Sequence, residues 1–544
     1  MDMKQRLGQF VVWGVGATTL LVTPFFSNDP FNVPRFISLL TFSFMGFSVL
    51  LIARKQWFSK RHRVIVGVSI LFIVWGLVAT FASGINLIEG AYGVTGRQTG
   101  LLAYFALIAM MISALVASSE GLSKKLSLVL VGAGIFSGLY GVLQFFGGDP
   151  FDWINPYSPV FGFFGNPNFQ ASFMGMAAVA AVAVSLESNA KFQNRIGLLF
   201  FVALALFNVY ESKSQQGYLV FLAGVVVVGY LYVRGNEKLK KLTPLYLVAA
   251  VVGFFAVVLD ILQMSPWSSI LYKESVTFRG DFWRAGWKMT FDNPVFGVGL
   301  DGYRDHYRAS RDVVTALRPE SDAMTDSAHN VFLDISSGGG FPLLIIYVFL
   351  IGLTIYSAIK VIRRTKRFDV AFASVLGVWA AYLAQSLISI NQLGLAVWGW
   401  VLMGVVIGYE INAREKTEAI KIKPVISTVA VGLGLIIGLS IGLPLMVADA
   451  TFRSTVEAGD VIKIEASVRQ WPQSVSRMSL AAQILRENNL PERSIVIARE
   501  AVIFNPMNYE AWKELSLQPN ATEQERAEAL ATMKKLDPFN PNLK

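Results

Sequence analysis

Residues 338–390 read GGGFPLLIIYVFLIGLTIYSAIKVIRRTKRFDVAFASVLGVWAAYLAQSLISI, two long apolar runs around a basic hinge from Lys360 to Arg367. A run of about 20 apolar residues crosses a bilayer as a helix, and short loops rich in Lys and Arg face the cytoplasm. The stretch therefore predicts two membrane spans joined on the inside. The same pattern extends in both directions, and about thirteen such runs can be marked. They lie near 7–26, 34–53, 64–82, 100–117, 126–146, 169–186, 196–211, 217–233, 243–263, 338–360, 370–390, 395–411 and 424–447. The first opens with Lys4 and Arg6 but continues into Pro24-Phe25-Phe26 without a small-residue cleavage site, so it reads as a retained anchor.

An N-terminus inside puts the clusters Arg54 to Arg63, Lys124-Lys125, Lys191 to Arg195, Arg234 to Lys241, Lys360 to Arg367 and Arg414 to Lys423 on the cytoplasmic side. The short outer loops then hold only Arg35, Arg97 and Lys213. An odd number of spans leaves the C-terminus outside. The expected class is all-α: a polytopic domain over 1–447 with a large outer loop at about 264–337, then a small outward-facing helical domain over 448–544.

Composition agrees. Of 544 residues, 54% are hydrophobic and 15% charged, with a mean hydropathy of +0.51. A soluble domain is about 25% charged, so a purely soluble enzyme, a disordered chain and a collagen-like chain are excluded. The net charge of +10 is accounted for by the inside loops, and no nucleic-acid partner is expected. There is no cysteine, which excludes disulfides and thiolate chemistry. With only His62, His306 and His329, a histidine-rich metal centre is not expected. Ionisable residues lie at span ends and not at midspan, which argues against an ion-coupled pump.

In the tail, proline turns recur at Trp471-Pro472, Asn505-Pro506 and Asp537-Pro538, with Ala481, Ala482, Ala498, Ala501, Ala511, Trp512 and Leu515 between them. A period of about 34 residues with helix-turn-helix content is the tetratricopeptide signature; the plainer reading is a generic helical tail.

Four motifs stand at the outer face. In Gly162 to Asn168, Asn166 is placed to cap a helix with Pro167 in its first turn, and a helix N-terminus attracts anions. In Ser212 to Gly217, Lys213 either meets a lipid phosphate or snorkels at the interface. In Phe278 to Lys288, Trp283 with Trp287 and Arg284 with Lys288 give a helix aromatic and cationic stripes that suit the headgroup layer; its cations either bind bulk anionic lipid or include an arginine that grips a phosphate. In Asp326 to Asn330, either His329, with the ordinary pKa of about 6.5 that suits a general base, is oriented by Asp326 three residues earlier on the same side of a helix, or Asp326 is a helix cap and His329 an interfacial polar residue.

Together these segments resemble the O-antigen ligase and polymerase superfamily. The matches are Gly96-Arg97-Gln98-Thr99-Gly100-Leu101-Leu102, Gly165-Asn166-Pro167-Asn168, Ser214-Gln215, Arg279 through Trp283, Asn293-Pro294 through Gly299, and Asp326 through Asn330 followed by Gly338-Gly339-Gly340. A tetratricopeptide-like tail is similar to a known branch of it. The resemblance implies a membrane glycosyltransferase of the bacterial cytoplasmic (inner) membrane that moves a glycan from a polyprenyl-diphosphate carrier to an acceptor hydroxyl of a glycan, a lipid or a protein, without metal or other cofactor. It assigns Arg279 to the diphosphate and His329, with Asp326 beside it, to the acceptor. Arg97, Lys213, Gln215, Asn166, Asn168, Arg284 and Asn330 join as expected substrate-binding residues. Many members have Ser-Arg where this chain has Ser214-Gln215. The competing class is non-catalytic, a polyprenyl-glycan flippase or a scaffold whose tail recruits protein partners.

Overall fold

The structure, a computed structural model, describes residues 2–151, 153, 160–261, 264, 274–317, 324–412 and 423–543. Among these residues there is no strand, and each apolar run marked in the sequence overlaps a helix. Among the described residues, eleven helices are long and apolar enough to cross a membrane. Leu101–Ala117 is apolar but has 17 residues, which cover about 26 Å at the helical rise. Met3–Leu20 carries Lys4, Gln5, Arg6 and Gln9 in its first turns, which dilutes its hydropathy. The protein is a polytopic, all-helical membrane protein.

Several helices overrun the apolar runs because capping side chains, and not hydropathy, set their ends. Ser119 accepts from the Leu122 N–H and starts Glu120–Phe145. Asn330 accepts from the N–H groups of Phe332 and Leu333, so the helix begins at Val331, inside the large loop. That helix reaches Arg364 with a break at Gly340, whose φ of 69° lies in the left-handed region.

Leu393–Asn412 forms the centre of the bundle, with Trp398 and Trp400 fully buried. Its neighbour Leu101–Ala117 approaches so closely that a Cβ on Gly404 would stand 2.1 Å from the Met111 carbonyl oxygen. At the other extreme, Thr243–Ile261 exposes Leu245, Val248, Val252 and Phe254. Such a surface suits lipid and not water.

Pro424–Glu457 runs unbroken from the bundle into the tail, where its Phe452 enters a second core with Val468, Met478, Leu485, Ala498, Trp512 and Leu536. The tail helices are Val461–Val468, Val475–Glu487, Pro491–Phe504, Tyr509–Ser516 and Glu523–Leu536. Each of the three proline turns falls between or just after helices. The tail packs on the bundle end that carries the large loop: Thr95 and Ser474 hydroxyls meet at 2.7 Å, Asn86 donates to the Phe504 carbonyl, and Arg453 donates to the carbonyls of Pro24 and Ser27.

Candidate functional site

The loop before Leu101–Ala117 has three residues in left-handed conformation, Gly93, Gly96 and Gln98. Asp301, itself at φ 64°, holds this loop: its carboxylate accepts from the Val94 N–H at 2.8 Å, the Thr99 hydroxyl at 2.8 Å and the Thr99 N–H at 3.3 Å. The loop so fixed presents Arg97, whose Nη2 lies 2.5 Å from Asp326 Oδ1.

Asp326 to Asn330 is not helical. The helical spacing expected for Asp326 and His329 therefore does not hold, and Asp326 pairs with Arg97 instead. The turn is set by Asp334, which accepts from the Ser327 hydroxyl at 2.8 Å and the Ala328 N–H at 2.7 Å. His329 adopts φ 52°, donates its N–H to Ser327 Oγ, and rests its ring 5.4 Å from that of Phe282. Asn330, expected at the substrate, uses its side-chain oxygen as the helix cap.

Burial pushes His329 down to about 3, and the positive fields of Arg97 and Arg279 add to this against the opposing field of Asp326. The ring is neutral at physiological pH. The near-neutral titration expected from the ordinary value is thus displaced. Burial alone would raise Asp326, but the Arg97 charge and hydrogen bond hold it below the usual carboxylate value. Burial pushes Asp301 up to about 6 despite its hydrogen bonds from Thr99 and Val94.

Arg279 stands on Glu274–Asp292. Its Nη2 donates to Gln216 Oε1 at 3.3 Å, and Gln216 donates onward to the Ser172 hydroxyl at 2.7 Å. Asn166 caps Pro167–Ser185 by accepting from the Asn168 N–H at 2.8 Å, and Asn168 accepts from the Ser214 hydroxyl at 2.7 Å. The asparagine motif, the Ser214 turn and the arginine helix are therefore one hydrogen-bonded array. The contact to Arg279 comes from Gln216, one residue beyond the position singled out in the sequence.

Other candidates point elsewhere. Lys213, at φ 56°, places its ammonium 2.9 Å from Glu211 and 4.6 Å from the centre of the Tyr210 ring. Arg284 spans Asp281 at 2.5 Å and Asp312 at 2.9 Å, and Lys288 meets Asp292 at 2.7 Å. The cationic stripe of this helix is answered by acids of the loop itself.

The Asn293 to Gly299 turn packs on the triple glycine. Val298 N–H donates to the Ser337 carbonyl, Phe341 N–H to that of Pro294, and the Trp75 indole to that of Gly339. A Cβ on Gly297 would sit 2.3 Å from the Ser337 oxygen. Beneath lies a cavity of about 20 Å³ walled by Arg97, Asp301, Asp326, Asp334 and Asn391, large enough for one water. Asp301, Asp334, Gln216 and Phe282 were not legible as site residues: each is one polar or aromatic residue among many, and only the fold gives it a partner.

Six separate segments thus converge at one end of the bundle around Arg97, Arg279 and His329. Residues 200–348 match the family model described as O-antigen ligase. The match puts this central stretch in the O-antigen ligase/polymerase superfamily. The O-antigen ligase segment includes Lys213, Gln215, Arg279, Arg284, Asp326, His329 and Asn330, and it begins after Arg97, Asn166 and Asn168. No curated protein matches the chain.

Proposed function

We propose that the protein is a membrane glycosyltransferase that passes or polymerises a glycan from a polyprenyl-diphosphate carrier onto an acceptor hydroxyl at the outer face of a bacterial cytoplasmic membrane. The observation that carries this reading is the meeting of the Arg97 loop with the turn that bears His329, through the Arg97–Asp326 pair at 2.5 Å, with Arg279 near enough for its charge to act on the same ring. A neutral imidazole can accept a proton, and guanidinium groups suit a diphosphate, which they grip by paired hydrogen bonds.

The acceptor hydroxyl gives its proton to His329 as its oxygen bonds to the anomeric carbon. The bond from that carbon to the diphosphate oxygen breaks, and the electron pair leaves with the diphosphate, held by Arg279 and Arg97. Burial is the largest cause of the depression of His329 and remains when the donor binds; the bound diphosphate offsets the smaller part, the two positive charges, and strengthens the base by that much. The activated leaving group comes with the lipid, which fits a chain without nucleotide motifs. Metal independence is part of the proposal: chelator leaves transfer unchanged, and restoration by divalent ions after chelation would contradict it.

The sidedness rests on the distribution of basic loops, and the tail is taken as an outward-facing tetratricopeptide-like domain over 448–544. Purified protein in liposomes with a polyprenyl-diphosphate glycan and an acceptor provides the test. Glycan should appear on the acceptor in wild type and not in Arg279→Ala; equal transfer in both would remove the arginine from the reaction.

A further inference from the structure

The tail grips the large loop at the helix Tyr303–Ser310 and at Arg311, the residue that follows it. Arg308 donates to Asp537 at 3.1 Å and to Glu510 at 3.0 Å, and its guanidinium lies 4.2 Å from the centre of the Tyr509 ring. Arg311 donates to both oxygens of Asp537 at 2.8 Å. All three ionic partners at the centre are buried: the side chains of Arg308 and Arg311 are 2% exposed and that of Asp537 is fully covered. On the same helix, Asp305 accepts from Asn505 at 2.7 Å and from Asn508 at 2.8 Å, and Asn505 also donates to Glu89 at 2.8 Å.

Taking charges out of water is costly unless geometry and hydrogen bonds compensate, and removing one partner of a buried pair is strongly destabilising. A tail that merely extended from the last span would not need this junction. The opposite face of the helix leads to the candidate base. Tyr303 donates its hydroxyl proton to the Phe282 carbonyl at 2.6 Å, Tyr307 packs its ring 5.8 Å from that of Phe282, and the Phe282 ring lies 5.4 Å from His329. Ala285, Met289, Val298, Ala328 and Leu333 fill the space around these aromatics.

We propose that the surface formed by Asn505, Asn508, Tyr509, Glu510 and Asp537 has the chain's own Tyr303–Ser310 helix as its partner, and that Asp537 is a positioning residue that sets His329 through Arg308, Arg311, Tyr303, Tyr307 and Phe282. The tail is a fixed brace of the reaction site. This rests on the reading of His329 as the base. The Thr95–Ser474 hydroxyl contact ties the tail to the Arg97 loop as well, so both halves of the site are held from one side.

The test uses full-length protein in liposomes. Asp537→Ala is expected to lower kcat about tenfold or more while KM for the lipid-linked donor changes less than twofold, since the donor contacts Arg97 and Arg279 and not the tail; Asp537→Glu should restore most of the rate. Unchanged kcat, or a raised KM at constant kcat, would overturn the proposal. Should Asp537→Ala not accumulate as folded protein, Arg311→Lys, which keeps the charge and loses the paired contact, is read by the same two constants. A disulfide between Thr95→Cys and Ser474→Cys in this cysteine-free chain separates a brace from a gate. Oxidised protein should turn over at the rate of reduced protein, and loss of turnover on oxidation would mean that the tail must open. If His329→Ala is fully active the underlying mechanism fails; if it is inactive and Asp537→Ala is normal, only the brace fails.

Discussion

Arg97 and Asp326, 229 residues apart in the chain, meet at 2.5 Å and join the loop before Leu101–Ala117 to the turn that carries His329. Both are partly buried, so removing one charge costs more than breaking a surface ion pair, because the other is left without its partner. Asp326→Asn keeps the shape and removes the charge. It should destabilise the protein by about 1–3 kcal/mol and depress transfer, because the arginine loses the partner that fixes its direction. An unchanged unfolding midpoint in detergent together with normal transfer would show that the two loops are held by other contacts.

Arg279 donates to Gln216, which in turn is anchored by Ser172. Arg279→Lys retains the charge but not the planar fork, and transfer should fall at least tenfold with the protein still folded. Gln216→Leu, which leaves the guanidinium without that acceptor, should cause a smaller loss. Near-normal turnover of Arg279→Lys would reassign the residue to general attraction of anionic lipid.

How much of this arrangement was legible in the sequence follows from what each level of structure depends on. The helices were, because hydropathy and basic loops are local signals; even Asn166 as a cap could be read from its position before Pro167. Helix ends were not, where a cap such as Asn330 pulls the helix past the apolar run. Arg97, Arg279 and His329 were legible as residue types in suggestive settings. Their convergence was not, since it depends on Asp301 and Asp334 fixing two loops from elsewhere in the fold. The surroundings of the lysine in the Ser214 turn were not legible either: its charge allowed a role at a lipid phosphate or plain snorkelling, and the fold sets it on a left-handed backbone beside Glu211 and Tyr210.

Glu89 gives the docking of the tail a pH dependence. Burial, followed by the negative charge of Asp305, pushes it up to about 7, against hydrogen bonds from Asn505 and Val475 and the field of Arg304. The folded protein therefore binds this proton more tightly than the unfolded chain. Its contribution is full below the ordinary value of 4.5 and is lost as pH rises through about 7. The effect is on the order of 3 kcal/mol at most. Thermal unfolding at pH 5 and pH 8 should show a smaller difference in Glu89→Gln than in wild type; equal differences would exclude Glu89 as the source.

Sidedness can be read directly because the chain has no cysteine. Glu528 is exposed on the last long tail helix. Glu528→Cys should react with a membrane-impermeant thiol reagent in intact cells, or in spheroplasts where an outer membrane is present. Labelling only after the cytoplasmic membrane is opened would invert the topology.

The central claim is that His329 removes the acceptor proton beside a diphosphate held by arginines, and donor binding and transfer measured on one reconstituted sample of His329→Ala test it most directly. Binding of the polyprenyl-diphosphate glycan should persist, while transfer falls by about two to four orders of magnitude. In wild type the acid limb of kcat/KM, which reports the free protein, should lie well below neutrality, because the ring is held near 3. The acid limb of kcat should lie higher by the part of the depression that the two arginines cause, since the bound diphosphate offsets their charge while the burial remains; His329→Ala should lose both limbs. Unchanged transfer in His329→Ala, with donor still bound, would contradict the mechanism and the enzymatic reading with it.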